Sequence, residues 1–109
     1  MQGISVVVPV FNEEGNVREL HKEILEVCKK ENYKFEIIFV DDGSKDKTPE
    51  ICKELKPLKY IRMRKNFGQT AAMDAGIKLA QYDYIVTMDG DRQNLSLIHI
   101  SEPTRPISI

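Results

Sequence analysis

The sequence predicts an α/β domain whose mainly parallel sheet carries helices on both faces. Three observations point there. Four short apolar runs, Ile4–Val10, Phe35–Val40, Tyr60–Met63 and Tyr84–Met88, read as buried strands, the first two as buried on both faces. Segments with helical spacing separate them, giving the order β-α-β-α-β-α-β, which implies right-handed crossovers between parallel strands. Polar clusters follow the first, second and fourth runs, at the carboxyl edge where such sheets bind ligands.

Each element has its own justification. The first run is IVVV interrupted by Ser5 and closed by Pro9 and Val10. Asn16 to Lys30 follows as a helix with Val17, Leu20, Ile24, Val27 and Cys28 on one stripe and Arg18, Glu19, Lys22, Glu23 and Glu26 solvated. His21 is assigned to the polar side of that helix and given no chemistry. FEIIFV is the second strand and runs into the turn Asp41-Asp42-Gly43-Ser44. Thr48 is the expected N-cap of a short helix, Pro49 its first residue and Pro57 its stop. The third strand precedes a small-residue helix, Gln69 to Ala80, in which Ala71, Ala72, Ala75 and Gly76 permit close packing on the sheet. YIVTM is the fourth strand and opens into Asp89-Gly90-Asp91.

Composition narrows the function. The chain has 109 residues and a net charge of −1, with 41% hydrophobic and 30% charged residues. This is one small globular domain or part of one. A dedicated nucleic-acid binder would be markedly more basic, so no nucleic-acid partner is expected. No apolar run is long enough to span a bilayer, and no signal peptide is visible. Cys28 and Cys52 form no CxxC and have no histidines at metal-ligand spacing. They read as two reduced thiols on helices, in a reducing compartment.

Three clusters could carry chemistry. Asp89-Gly90-Asp91, with Gln93 beside it, offers two carboxylates at a strand end, a donor set that suits a hard divalent ion; an ordinary acidic turn has the same composition. Asp41-Asp42-Gly43-Ser44 could accept hydrogen bonds from a base or ribose, or form an Asx turn with a cap. In Pro9-Val10-Phe11-Asn12-Glu13-Glu14, Phe11 could stack on a flat base and Glu13 take a polar edge. Alternatively the acids simply favour the start of a helix. Three acidic clusters on one edge repel one another and suit a cationic or donor-rich ligand. Arg62, Arg64 and Lys65 form a small basic cluster that is either solvated or meets phosphate. There is no GxGxxG, no GxxxxGK[ST] and no GxSxG.

Taken together, VVVPVFNEEGN, VDDGSKDKT, RKNFGQTAAMDAG and VTMDGDRQN resemble the family 2 glycosyltransferases of the GT-A fold. The likeness is greatest to the branch of dolichyl-phosphate mannose synthase and bacterial polyprenyl-phosphate glycosyltransferases, and it runs from Ile4 to Asn94. The resemblance implies a Rossmann-like three-layer sandwich, truncated here after the D-x-D strand. It implies metal-dependent, inverting transfer from a GDP- or UDP-sugar, most simply to a lipid (polyprenyl) phosphate. Pro9, Phe11 and Glu13 would line the nucleotide pocket, with Phe11 where the family often has tyrosine. Val40 and Asp42 would hold the base, and Asp41 would support that loop. Asp89 and Asp91 would be the catalytic pair that binds Mg²⁺ or Mn²⁺ on the diphosphate, with Gln93 beside the metal and Gly90 replacing a common alanine against the nucleotide. Arg92 stands where the family usually has leucine.

The resemblance further implies a cytoplasmic protein, at the membrane face in its full-length form. The expected organisation is a donor-binding part over 1–94 and a non-native tail over 95–109. NLSLIHISEPTR is similar to the conceptual translation of a transposase-type sequencing adapter. Such a chain should fold poorly, leave its fourth strand as a bare hydrophobic edge and show no turnover. The competing class is a non-catalytic, Mg²⁺-binding nucleotide or receiver-like α/β module. Receiver domains carry their acidic pair after the first strand, whereas here it follows the second.

Overall fold

The computed structural model describes residues 3–30, 34–82, 84–87 and 99–100. The elements are β1 (Gly3–Val10), α1 (Val17–Lys30), β2 (Lys34–Asp41), α2 (Thr48–Glu54), β3 (Lys59–Arg62), α3 (Gln69–Leu79), β4 (Tyr84–Thr87) and β5 (His99–Ile100). They form one sheet in the order β3-β2-β1-β4-β5. The pairs β1–β2, β1–β4 and β2–β3 are parallel, as the alternation of elements requires. Strand order reverses at β1: β2 and β3 lie to one side of it and β4 to the other. That reversal is where open α/β sheets place their ligand crevice.

The period of two divides the apolar residues between two cores. Ile4, Val6, Val8 and Val10 of β1, with Ile37 and Phe39 of β2, pack against Val17, Leu20, Ile24 and Cys28 of α1 and Cys52 of α2. Val7, Ile38, Val40 and Ile85 face the other way, against Ala72 and its neighbours on α3. Both faces of the central strands are therefore covered, which is why their sequences are nearly continuous in Val and Ile. Gly76 sets the approach of α3. A Cβ there would stand 2.9 Å from Val40 Cγ2 and closer still to Val7 Cγ1, so only glycine lets this helix sit so near the sheet.

Four expectations need correction. His21 is not solvated. It is 4% exposed, its Nε2 lies 2.9 Å from the Pro57 carbonyl, and its ring stands edge-on to Phe39. The stretch after α2 folds back over α1 and covers it. Glu23 is half-buried rather than free in solvent. Thr48 is the first residue of α2 rather than its N-cap, and its N–H donates to Asp46 Oδ1 at 2.9 Å. Finally, β4 is not a bare edge, because His99 and Ile100 pair antiparallel with Thr87 and Val86. The expected fourth-strand residue Met88 lies outside the described residues.

Candidate functional site

The carboxyl ends of β1, β2 and β3 are tied into one surface by hydrogen bonds between residues far apart in sequence. The backbone N–H groups of Asn12, Glu13 and Glu14 donate to Ser44 Oγ (2.8 Å), Thr48 Oγ1 (2.8 Å) and Asp46 Oδ2 (3.1 Å). In the other direction, Lys45 N–H donates to Asn12 Oδ1 and Lys47 N–H to Glu14 Oε1, both at 2.8 Å. Asn12 sits at φ 51, the left-handed region that asparagine tolerates better than most residues. The loop after β1 and the loop after β2 thus satisfy each other's polar backbone, as an irregular segment partly removed from water must.

The aspartate pair faces inward. Asp41 is fully buried; its Oδ1 accepts from Ser44 N–H at 2.7 Å and its Oδ2 from the Tyr60 hydroxyl at 2.5 Å. Burial pushes the Tyr60 phenol up, and the Asp41 carboxylate it binds adds to that. Asp42, 5% exposed, accepts the N–H of Phe67 at 2.8 Å and of Gly68 at 2.9 Å. It therefore hangs the β3–α3 loop from the end of β2. Glycine is required on both sides of this contact. Gly43 has φ 88 and lies against the Asn66 backbone, and Gly68 has φ 103 as it opens α3.

With these carboxylates turned inward, the surface between the loops is cationic. A cavity of about 370 Å³ is lined by Phe11, Gly43, Lys45, Arg62, Arg64, Lys65 and Asn66. Arg62 is fixed at its rim by a 2.8 Å bond from its guanidinium to the Ser44 carbonyl. Phe11 is 40% exposed and offers a ring to the space. The Lys65 ammonium stands 5.8 Å from the centre of the exposed Phe67 ring, within cation–π range. Asp41 and Asp42 thus spend these bonds on the protein's own donors, and the charged side chains lining the cavity are cations. The basic cluster Arg62, Arg64 and Lys65 is exposed and forms part of this cavity's wall. Lys45, 17 residues before Arg62 in the chain, joins it only through the fold.

Other predicted residues fall as follows. Pro9 is buried in β1, paired with Val40. The Val40 side chain is fully buried beneath α3 and presents nothing to the cavity. Glu13 lies in the loop between β1 and α1; its carbonyl accepts the N–H of Asn16 and Val17 at 2.9 Å, and its Oε1 accepts from Asn16 Nδ2 at 3.0 Å. Asp89, Gly90, Asp91 and Gln93 lie outside the described residues. Among the described residues there is no cluster of His, Cys, Asp and Glu able to hold a metal. β4 runs parallel to β1 with Thr87 level with Val7, so the chain leaves β4 at the same edge as Phe11. A larger cavity, about 610 Å³, lies between α1 and α2 and is lined by charges of both signs, including Arg18, Glu19, Lys22 and Glu54. Of the strand-end clusters it takes only Glu14, from the loop after β1. Both cysteines are buried, and burial raises Cys28 to about 11 and Cys52 to about 12, a setting that disfavours the thiolate.

Comparison with known proteins decides the family. The model of Glycosyl transferase family 2 matches residues 5–96. The chain belongs to glycosyltransferase family 2. Dodecaprenyl-phosphate galacturonate synthase of Rhizobium johnstonii is 43% identical to this family 2 chain over 96 residues, covering 84% of it and 28% of the relative. S. aureus TarS 1–349, solved in complex with UDP-GlcNAc, superposes with a TM-score of 0.68 at 28% identity over 82% of the chain and 26% of TarS. Mannosyltransferase PcManGT from Pyrobaculum calidifontis, solved with GDP-Man and Mn²⁺, gives 0.66 at 26% identity over 83% of the chain and 28% of that protein. The fold is GT-A. The family 2 chain spans under a third of the length of the curated relatives it matches.

Proposed function

We propose that this chain carries the sugar-nucleotide donor site of a glycosyltransferase whose acceptor is a polyprenyl phosphate. The observation that carries the reading is the cation-lined cavity at the ends of β1, β2 and β3, with Phe11 on its wall. A nucleoside diphosphate has a flat base to stack and a multiply charged tail to neutralise, and these side chains offer both. The matched relative acts on a lipid phosphate, and two structural neighbours bind a UDP-sugar and a GDP-sugar.

Asp89 and Asp91, with Gln93, are the proposed ligands of Mg²⁺ or Mn²⁺. Two carboxylates and a carboxamide are the hard oxygen donors such ions take, and Gly90 lets the backbone come close. A bound divalent ion would supply charge neutralisation on the departing diphosphate. Phe11 and the cavity cations orient the nucleotide. Asp41 and Asp42 hold the loops that carry them, and Pro9 and Glu13 shape the β1 side. A phosphate acceptor is already anionic near pH 7, since its second pKa is about 6, so little general-base help is needed. Action at the cytoplasmic membrane face is part of the same proposal. No helix among the described residues is long and apolar enough to cross a membrane. Residues 95–109 stay outside the reading as a proposed non-native tail, and the codons that encode them test it: codons unlike an adapter would remove the idea.

Thermal unfolding with UDP or GDP, with and without Mn²⁺, tests the donor site. Stabilisation that needs both nucleotide and Mn²⁺, and that Asp89→Asn or Asp91→Asn abolishes, is the expected result. Stabilisation by a small phosphodonor with Mg²⁺ alone would favour the receiver-like module instead.

A further inference from the structure

We infer that Tyr60 is a positioning residue for this donor site, acting through Asp41 and Ser44 on Phe11 and Arg62. The inference rests on the donor-site reading above and goes one step further, to the buried residues behind the cavity wall. Strand parity brings them together. β3 pairs with β2 so that Tyr60 stands level with Phe39, and Arg62 with Asp41. Residues two apart in a strand share a face, so Tyr60, Arg62 and Asp41 all lie on the side of the sheet that α1 and α2 cover. From there the Tyr60 hydroxyl reaches diagonally to Asp41 Oδ2, 2.5 Å away.

The other Asp41 oxygen accepts the Ser44 N–H at 2.7 Å. Ser44 in turn serves two cavity residues. Its hydroxyl oxygen accepts the Asn12 N–H at 2.8 Å, which pins the peptide that joins Asn12 to Phe11, and its carbonyl accepts the Arg62 guanidinium at 2.8 Å. Asp41 and Ser44 are 0% and 1% exposed, and Tyr60 is half-buried. None of the three lines the cavity, whereas Phe11 and Arg62 do, so the three bear on a bound nucleotide only through those two side chains. Burial and the Asp41 carboxylate push the Tyr60 phenol up, so it keeps its proton and stays a donor throughout the neutral range. Phenylalanine in its place has the same ring and no donor. Asp41 is then buried with one of these partners instead of two, and an unpaired buried oxygen draws its carboxylate toward another donor. A turn of that carboxylate moves Ser44, and with it both the Phe11 peptide and Arg62. A site whose supporting residues loosen in this way loses its working geometry while the fold persists.

Titration calorimetry with UDP and with GDP, each with Mn²⁺, tests this on wild type, Tyr60→Phe and Glu36→Gln. Glu36→Gln disturbs bonds at the opposite end of β2 and controls for lost stability alone. Tyr60→Phe is expected to bind the nucleotide that wild type binds about three- to tenfold more weakly, the span of one hydrogen bond written as a binding ratio. Glu36→Gln should leave that affinity where it is. Exchange of the Asn12 amide should quicken in Tyr60→Phe and not in Glu36→Gln, although its own bond is to Ser44 rather than to Tyr60. Should Tyr60→Phe not fold, Ser44→Ala, which removes only the hydroxyl that holds Asn12, reads the same relay one bond further on and should show the same weakening. Unchanged affinity in the folded variant, or an equal loss in Glu36→Gln, would overturn the inference while leaving a donor site in place. Binding of neither nucleotide by wild type would instead strike at the donor-site reading, and the role of Tyr60 would fall with it.

Discussion

Replacing Asp42 by alanine removes the carboxylate that suspends the β3–α3 loop. Two backbone donors lose their acceptor, Phe67 N–H at 2.8 Å and Gly68 N–H at 2.9 Å. Hydrogen bonds to a charged group contribute about 1.5–3 kcal/mol each. Phe67 is exposed and its amide can recover water, so the pair should cost less than the two full bonds would, about 2–3 kcal/mol. For a domain of this size that is a drop of about 10–20 °C in the unfolding midpoint. Asp42→Asn keeps one acceptor but sets its NH2 against the other backbone N–H, so it should recover little of this loss. Urea unfolding followed by circular dichroism gives the stability. Amide exchange gives the location: Phe67 and Gly68 should exchange roughly 30- to 150-fold faster in Asp42→Ala, the same energy expressed as a ratio. If Asp42→Ala stays within about 0.5 kcal/mol of wild type, the size of an ordinary surface change, and both amides keep their protection, the carboxylate does not hold this loop.

Tyr60→Phe leaves the buried Asp41 Oδ2 without its donor and should cost about 1–3 kcal/mol in urea unfolding; a neutral result would mean that Asp41 finds another partner. Gly76→Ala places a methyl against Val7 and Val40 and should destabilise by about 1–3 kcal/mol, read as a lower melting temperature. The Glu36 carboxyl gives a pH-dependent effect. Burial pushes it up, but the Gln81 N–H, the Lys59 ammonium at 2.8 Å and the Ser5 hydroxyl at 2.6 Å outweigh this and hold it below the usual range. A lowered folded pKa means that the stabilisation is complete above the unfolded pKa, about 4.3, and is lost as pH falls through the folded value. The stability gap between wild type and Glu36→Gln should therefore be widest above about pH 5 and close on acidification. A gap that widens toward acid would reverse the sign of this account.

Much of the fold was legible because its causes are local. Runs such as Val6-Val7-Val8 fit a strand covered on both faces, and their separation by helical stripes leaves few topologies. The strand-end placement of Asp41-Asp42 also followed from order alone. What stayed hidden depends on contacts between distant residues. Nothing near His21 in sequence announces that Pro57 will cover it. Composition counts Asp41 and Asp42 as surface charge, because their partners Tyr60, Phe67 and Gly68 belong to later elements. The cations that line the cavity, Lys45, Arg62, Arg64 and Lys65, meet only because the β2–α2 loop, the end of β3 and the β3–α3 loop come together. Strand parity turns the Val40 side chain toward α3, a neighbour that belongs to a later element.

A nuclear magnetic resonance titration of the chain with UDP and Mn²⁺ tests the central claim most directly. Amide shifts should cluster at Phe11–Glu13, Asp42–Lys45 and Arg62–Gly68, with paramagnetic broadening strongest around Asp89 and Asp91. Shifts confined to the α1–α2 cavity around Arg18 and Glu54, or broadening remote from the end of β4, would contradict it.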